Sequence, residues 1–320
     1  MSLALVGDIG GTNARFALWR NGHTEAVQKL TAAQFATPEL AIRHYLSSLG
    51  LAPSSLTSLC LACAGPVSGE DFQFTNNHWR LNRSELRQAL GLKHLLLIND
   101  FTAMALGMTR LHEHERTPIC PGVSEPERPF LVIGPGTGLG VSTLLPDGPE
   151  RWRVLPGEGG HVDLPIGSLR EAALWQQLFA DLGHVRAEDV LSGRGLVQLY
   201  RAICSLDQQI PHWDSAADIS TAALAGDPVA TEVLSLFCIW LGRVAGNNVL
   251  TNGARGGVYI VGGVIPRFAD FFKSSGFAES LRSKGCMSHY LTGVPAWLVT
   301  AEYPGLEGAG VALQQMLEPA

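Results

Sequence analysis

Gly7-Asp8-Ile9-Gly10-Gly11-Thr12 follows the short apolar run 3–6, and apolar, β-favouring residues resume at 15–19. The pattern predicts a β-hairpin closed by a glycine-rich turn. Glycines there let the backbone approach phosphate oxygens and turn N–H groups toward them. Thr12 adds a hydroxyl. Asp8 is placed to hold Mg²⁺ through water, because that ion sheds its hydration shell reluctantly. An ordinary tight hairpin explains the same residues, so the motif alone leaves both readings open.

The same device recurs. Residues 130–133 read as a strand entering Gly134-Pro135-Gly136-Thr137-Gly138-Leu139-Gly140, with 141–145 as the hairpin partner. No Gly-Lys-Ser/Thr follows, which excludes a Walker A loop, and a following strand rather than helix fits the dinucleotide fingerprint poorly. Gly262-Gly263 after the strand 257–261 gives a third point of close approach. Three such points suit a nucleotide held between domains, and the recurrence hints at two related halves facing one cleft.

Around these turns, strands and helices alternate. Residues 37–49 have helical spacing, with Leu40, Tyr45 and Leu46 on one face and Gly50 as the stop. Residues 58–64 and 94–98 read as strands, 84–90 as a helix capped by Ser84 and stopped by Gly91, and 101–108 as a helix. The span 168–249 is mostly helical, clearest at 171–182 and 228–249. A last strand is expected at 297–300 and a last helix at 308–317. The class is α/β. A chain of 320 residues suggests about two domains and a sizeable core, and the more helical region after about residue 110 is expected to form the second.

Composition excludes several classes. Hydrophobic residues at 46% and charged residues at 16% fit a folded globular chain. A net charge of −6 with 23 Lys and Arg gives no basic footprint for nucleic acid. The longest apolar run, 233–242, is closed by Arg243 and is short of the ~20 residues a membrane helix needs. Met1-Ser2-Leu3-Ala4-Leu5 lacks the basic and apolar regions of a signal peptide. Six cysteines without an export signal read as free thiols in a reducing cytosol. Cys60 and Cys63 form a CxxC inside the apolar run 59–64, where a buried structural role is expected over metal or redox chemistry.

Three segments carry candidate chemistry. Asn99-Asp100 ends the strand 94–98, where open α/β sheets bind ligands. A carboxylate there can take a proton from a substrate hydroxyl, and the amide can orient that substrate. Asp100 could equally cap the next helix. Gly157-Glu158-Gly159-Gly160-His161-Val162-Asp163 brings carboxylate and imidazole together in a flexible loop, matching the donors and acceptors of sugar hydroxyls. Glu-x-x-His also binds metal on helices, but the paired glycines disfavour a helix and no second copy follows. Glu188 reads as a ligand or as an exposed acid at a helix start, and residue chemistry alone favours the exposed acid. His112-Glu113-His114-Glu115 reads as a solvated loop before Pro118.

Taken together, Leu5-Val6-Gly7-Asp8-Ile9-Gly10-Gly11-Thr12-Asn13-Ala14-Arg15, Ile98-Asn99-Asp100-Phe101-Thr102-Ala103, Gly136-Thr137-Gly138-Leu139-Gly140, Leu155-Pro156-Gly157-Glu158-Gly159-Gly160-His161-Val162-Asp163, Val190-Leu191-Ser192-Gly193 and Gly262-Gly263 resemble, in order and over essentially the whole chain, the bacterial ATP-dependent glucokinase family of the hexokinase–actin-like superfamily. The resemblance implies a two-domain actin-like ATPase (ribonuclease H-like) α/β fold. A small α/β domain near 1–109, to which the C-terminal helix at about 301–320 returns, would face a larger α+β domain over 110–300 across a ligand cleft. It implies transfer of the γ-phosphoryl group of ATP to the 6-hydroxyl of D-glucose, the first step of glycolysis. ATP and Mg²⁺ would be the cofactors, the cytoplasm the location and a homodimer the assembly, with no nucleic-acid or membrane partner.

The resemblance also implies residue roles. Asp100 is the general base, and Asn99, Asp100, Glu158, His161 and Glu188 hold the glucose hydroxyls. Gly7, Asp8, Ile9, Gly10, Gly11 and Thr12 form one phosphate loop, with Asp8 near Mg²⁺. Gly136, Thr137, Gly138 and Gly140 form the other, with Gly262 and Gly263 as further nucleotide contacts. This reverses the exposed-acid reading of Glu188 and sets the base above the cap at Asp100. A related repressor/kinase group carries a zinc-binding cysteine cluster near its Glu-x-x-His, but no cysteine lies between Cys120 and Cys204 and no helix-turn-helix precedes the first strand. A non-catalytic sensor and a kinase for another hexose are the competing readings. A sensor usually loses its base or a phosphate loop, and this chain keeps both.

Overall fold

The glycine-rich turn at the start of the chain closes an antiparallel pair, β1 (Leu3–Ile9) with β2 (Asn13–Arg20). The computed structural model describes residues 3–65, 67–74 and 77–318. The chain divides into two compact units, one of Met1–Glu113, Asp147–Val154 and Ala301–Ala320, the other of His114–Pro146 and Leu155–Thr300.

In the first unit β3 (His23–Thr31), α1 (Pro38–Ser48) and β4 (Leu56–Cys63) follow the hairpin. A small ribbon of β5 (Asp71–Gln73) and β6 (Arg80–Asn82) then leads through α2 (Arg83–Leu90) to β7 (His94–Asn99) and α3 (Asp100–Gly107). The main sheet has the order β3-β2-β1-β4-β7, with β1, β4 and β7 parallel. Its core gathers Phe16, Ile42, Tyr45, Leu46, Leu59 and Trp79, all fully enclosed. Local chemistry sets the helix ends. Thr37 caps α1, and Asn82 Oδ1 accepts from Glu85 N–H at 3.0 Å to cap α2, interactions worth about 1 kcal/mol each. Ser84, expected as that cap, instead donates to Glu70 Oε2 at 2.8 Å. Leu40, expected on the buried face of α1, is 48% exposed, because Ala41 and Ile42 take the inward positions.

Residues 301–320 contribute the last helix of the chain to this unit. It packs on α3 with backbone nearly touching backbone. A Cβ at Gly308 would run into the Ala103 carbonyl, and one at Gly107 into the Pro304 carbonyl. The uninterrupted span 110–300 expected for the larger domain is broken by Asp147–Val154, which sorts with the first unit. Trp152 explains it: its N–H donates to Gln315 Oε1 at 2.8 Å, and its carbonyl accepts from Gln315 Nε2 at 3.1 Å.

The second unit holds β8 (Arg116–Cys120), β9 (Phe130–Pro135), β10 (Leu139–Pro146), the second half of β11 (Trp152–Gly157), β12 (Gly257–Ile260) and β13 (Ala296–Val299). The sheet order is β11-β10-β9-β12-β13-β8, with β9, β12 and β13 parallel. Its helices are α4 (Leu169–Leu182), α5 (Gly193–Leu206), α6 (Ala216–Leu224), α7 (Pro228–Asn252), α8 (Ala269–Lys273), α9 (Phe277–Arg282) and α10 (Ser288–Leu291). The helix of the first unit packed on α3 is α11 (Pro304–Leu317).

At 25 residues α7 is long and apolar enough to cross a membrane by length and composition, contrary to the reading of the run 233–242 alone. Its apolar residues are instead enclosed in protein: Val233, Leu234, Phe237, Trp240 and Leu241 have no exposed surface. Trp240 Nε1 donates to the Pro165 carbonyl at 2.9 Å, and Arg243, which ends the apolar run, pairs with buried Glu171 on α4.

The glycines of the α3–α11 contact generate a stability prediction. Gly308→Leu must push the two backbones apart and should cost about 2–3 kcal/mol, the usual scale of overpacking a tight contact. Denaturant unfolding followed by far-UV circular dichroism should show a lower midpoint.

Candidate active site

Parallel pairing brings the candidate residues of the first unit to one edge. Ile9, Cys63 and Asn99 lie level across β1, β4 and β7, so the residues after each strand emerge side by side. Asn99 Nδ2 donates to the Gly65 carbonyl at 3.2 Å, joining the segments that follow β4 and β7. Asn99 is also the N-cap of α3, accepting from Phe101 and Thr102 N–H at 2.9 and 3.0 Å. The cap that Asp100 could equally have supplied is made by its neighbour, and Asp100 is the first helical residue. Asp100 Oδ1 accepts from Asn99 Nδ2 at 3.0 Å and from Phe101 N–H at 2.8 Å, which fixes the carboxylate at the strand edge.

The residues 7–12 divide by role. Gly7 lies inside β1, and a Cβ there would meet Leu61 at 2.7 Å and Phe16 at 3.0 Å. Its side chain is absent for packing. Ile9 is fully buried in the core, so it can offer a ligand only its backbone. Gly10, Gly11 and Thr12 form the turn itself, with Thr12 exposed. Asp8 faces Arg15 across the hairpin at 3.3 Å. Burial pushes its carboxyl above the usual range, with Arg15 pulling the other way. Asp8 also stands against the first turn of α11, its Cγ 3.5 Å from where a Cβ on Gly305 would be. Cys60 and Cys63 are buried in β4 with thiols pushed well up by that burial, which makes them poor nucleophiles and metal ligands.

The second unit assembles its candidates by a parallel mechanism. β9 and β12 run together with Ile133 opposite Ile260, so the turn 136–138 and Gly262-Gly263 leave the sheet at the same edge. Gly262 needs glycine twice over: its φ is +94°, and a Cβ would meet the Pro135 carbonyl at 2.5 Å. Gly136 and Gly263 have nothing within 4 Å of a Cβ position. Thr137 is exposed at the turn, and Gly140 lies in β10 opposite Gly134.

Glu158 and His161 flank a single 3-10 turn, Gly159–His161, with Nδ1 and Oε2 3.5 Å apart. Glycine lets that turn lie against β10: a Cβ on Gly160 would strike the Leu139 carbonyl, and one on Gly159 would meet Val141 Cβ at 2.8 Å. Ala187 N–H donates to the Val162 carbonyl at 2.8 Å and Leu164 N–H to the Val185 carbonyl at 3.1 Å, which draws Glu188 to the same place. Glu188 is not the exposed acid that residue chemistry suggests. Its side chain is 13% exposed, and Oε2 accepts from Leu139 N–H at 2.9 Å. Sequence reasoning missed Arg194, whose Nη2 lies 2.8 Å from Glu188 Oε1. The available signal is a cation in the first turn of a helix, an electrostatically unfavourable place that calls for an anionic partner. His112, Glu113 and His114 are exposed, as a solvated segment would be.

Glycine turns at the carboxyl edges of parallel strands, an acid and amide at one strand end and an acid–imidazole loop at another define a two-domain sugar kinase of the actin-like ATPase fold. The comparisons narrow the class. The glucokinase family model matches residues 5–316. A glucokinase of Pseudomonas aeruginosa (strain LESB58) is 56% identical over 317 residues, 99% of this chain and 96% of that one. The crystal structure of a glucokinase from an Antarctic psychrotroph superposes with a TM-score of 0.88 at 35% identity, covering 98% of this chain and 99% of that one. A Balamuthia mandrillaris glucokinase in complex with glucose superposes with a TM-score of 0.75 at 25% identity, covering 98% and 94%. The chain belongs to the glucokinase family.

The segment that carries Glu188 depends on its neighbour Asp189, which is 5% exposed and bonded to Arg186 at 2.7 and 3.0 Å. Burial would raise the Asp189 carboxyl, but the Arg186 hydrogen bonds and charge outweigh it and hold the group below its usual range. The ionised form therefore stabilises the fold above pH ~4, and that share is lost as pH falls through the lower native value. Asp189→Asn should cost about 1–2 kcal/mol at pH 7, the scale of a charge-assisted hydrogen bond whose cationic partner Arg186 is still partly solvated. Denaturant titrations at several pH values should also show a flatter acid limb in the variant.

Proposed function

We propose that this chain transfers the γ-phosphoryl group of ATP to the 6-hydroxyl of D-glucose, with Asp100 as the general base. The observation that carries the role of Asp100 is that Asn99 caps α3. Capping of α3 therefore does not require the acid beside it, which shares only the Phe101 N–H with Asn99. Asn99 and the Phe101 N–H orient its carboxylate at the strand edge, where a hydroxyl proton can be taken as the oxygen attacks phosphorus in line. Asn99, Glu158, His161 and Glu188 supply acceptors and donors for the remaining hydroxyls. Buried polar groups of a site penalise any sugar that leaves them unpaired, which is the physical source of preference among hexoses.

The residues present fit a nucleotide. Gly136 and Gly263 leave open space where other residues would project a Cβ, so phosphate oxygens can reach the backbone. Gly10, Gly11 and Thr12 offer N–H groups and a hydroxyl at the end of β1. These groups would stabilise charge on the equatorial oxygens of a loose transition state. Asp8 is the residue suited to hold Mg²⁺ through water, and that ion, when bound, neutralises developing phosphate charge. A cytoplasmic location and a homodimer belong to the same proposal and rest on the family.

The test is to incubate purified protein with MgATP and single sugars, following ADP and sugar phosphate together. Glucose should give stoichiometric glucose 6-phosphate. Binding of glucose without product would sink the enzyme reading in favour of a sensor, and preferred turnover of fructose or mannose would sink the substrate. Asp100→Asn should lower kcat by at least ~10²-fold, the scale of a lost general base. Near-normal turnover in that variant would remove Asp100 from the role.

A further inference from the structure

Arg194 occupies the first turn of α5, where the helix macrodipole disfavours a cation. Its pairing with Glu188 Oε1 at 2.8 Å offsets that placement. The backbone of Glu188 is fixed without it. Ser192 Oγ donates to the Glu188 carbonyl at 2.9 Å and accepts from Gly195 N–H at 3.0 Å, locking the segment to the helix start. The carboxylate itself has further torsions to settle. Leu139 N–H holds Oε2 and Arg194 holds Oε1, so the plane of the carboxylate is set by two donors on different oxygens. A carboxylate offers roughly four acceptor positions, so further donors can still be received in that fixed plane.

We propose that Arg194 is a positioning residue of the sugar site. It sets the plane of the Glu188 carboxylate so that the remaining lone pairs meet one hexose hydroxyl. Leu139 ties the same carboxylate to the glycine turn that precedes β10. The inference rests on the reading of Glu188 as a sugar ligand. Exposure separates it from a structural role: the Arg194 side chain is 61% exposed and that of Glu188 13%. An ion pair with one member so exposed contributes little to folding, while the loss of orientation falls on the enclosed member. Lysine at this position would supply charge without the planar fork of the guanidinium.

The experiment is steady-state kinetics on the full chain and on Arg194→Ala, Arg194→Lys and Glu188→Gln, with glucose and the set of monodeoxyglucoses. Arg194→Ala should raise the glucose KM about tenfold, the scale of one charge-assisted hydrogen bond, with kcat within roughly twofold. Its thermal unfolding midpoint should stay close to that of the parent, and Arg194→Lys should recover part of the loss. One deoxyglucose, lacking the hydroxyl that Glu188 meets, should show no further rise in KM on Arg194→Ala. An equal rise for every sugar, or a lowered unfolding midpoint, would mark a structural residue and overturn the inference. Glu188→Gln separates the two levels. If it raises KM while Arg194→Ala does not, the inference fails and the Glu188 reading stands. If it leaves the glucose KM unchanged, the Glu188 reading itself fails.

Discussion

Parallel strand pairing is the constraint from which the rest follows. In the first unit it aligns the ends of β1, β4 and β7, and in the second the ends of β9, β12 and β13. Parallel neighbours need a crossover, so the chain must leave each strand at the same edge and return over a face of the sheet. The segments that follow β1, β4 and β7, and those that follow β9 and β12, are thereby delivered to one side of their own sheet. Each unit adds an antiparallel hairpin at β1–β2 and at β9–β10, and the hairpin turn is where glycine is concentrated.

Glycine serves two different purposes in these turns and strands. At Gly136 and Gly263 the space a side chain would fill stays open, which suits approach by a ligand. At Gly7, Gly107, Gly160 and Gly308 the space is already taken by the protein's own atoms. Those positions bring elements together: β1 against β2 and β4, α3 against α11, and the Glu158–His161 turn against β10. The second kind is as necessary as the first, because the placement of Glu158, His161 and Glu188 depends on backbone contact that a Cβ would forbid.

The charged groups show the same economy of position. Asn99 caps α3, bridges to Gly65 and holds the Asp100 carboxylate with one side chain. Glu188 joins the start of β10 to the start of α5 through its two oxygens. Such groups have little freedom left in the folded chain, so the ordering that a ligand would otherwise have to impose is already present.

The α/β class, both glycine turns, the strands before them and the helices 171–182 and 228–249 are legible in the sequence because they obey local rules: apolar periodicity, turn chemistry and glycine stops. β3, β8 and β11 are not, since they lie at or near sheet edges, carry polar residues or, in β8 and β11, a proline, and lack a sustained period of two. The choice of Asn82 over Ser84, or of Asn99 over Asp100, as a cap turns on a shift of one or two residues that composition does not encode. The residue types of the candidate site, Asn99-Asp100, Glu158, His161 and Glu188, were set by the sequence and its resemblance to a family. Which of them stand side by side, the burial of Glu188, the Arg194 partner and the return of Asp147–Val154 to the first unit were decided by tertiary structure. The reason is physical: the Glu188–Arg194 pair is local in sequence but formed only once the segment is folded, and the other arrangements join residues tens to more than a hundred positions apart, which only packing brings within hydrogen-bond reach.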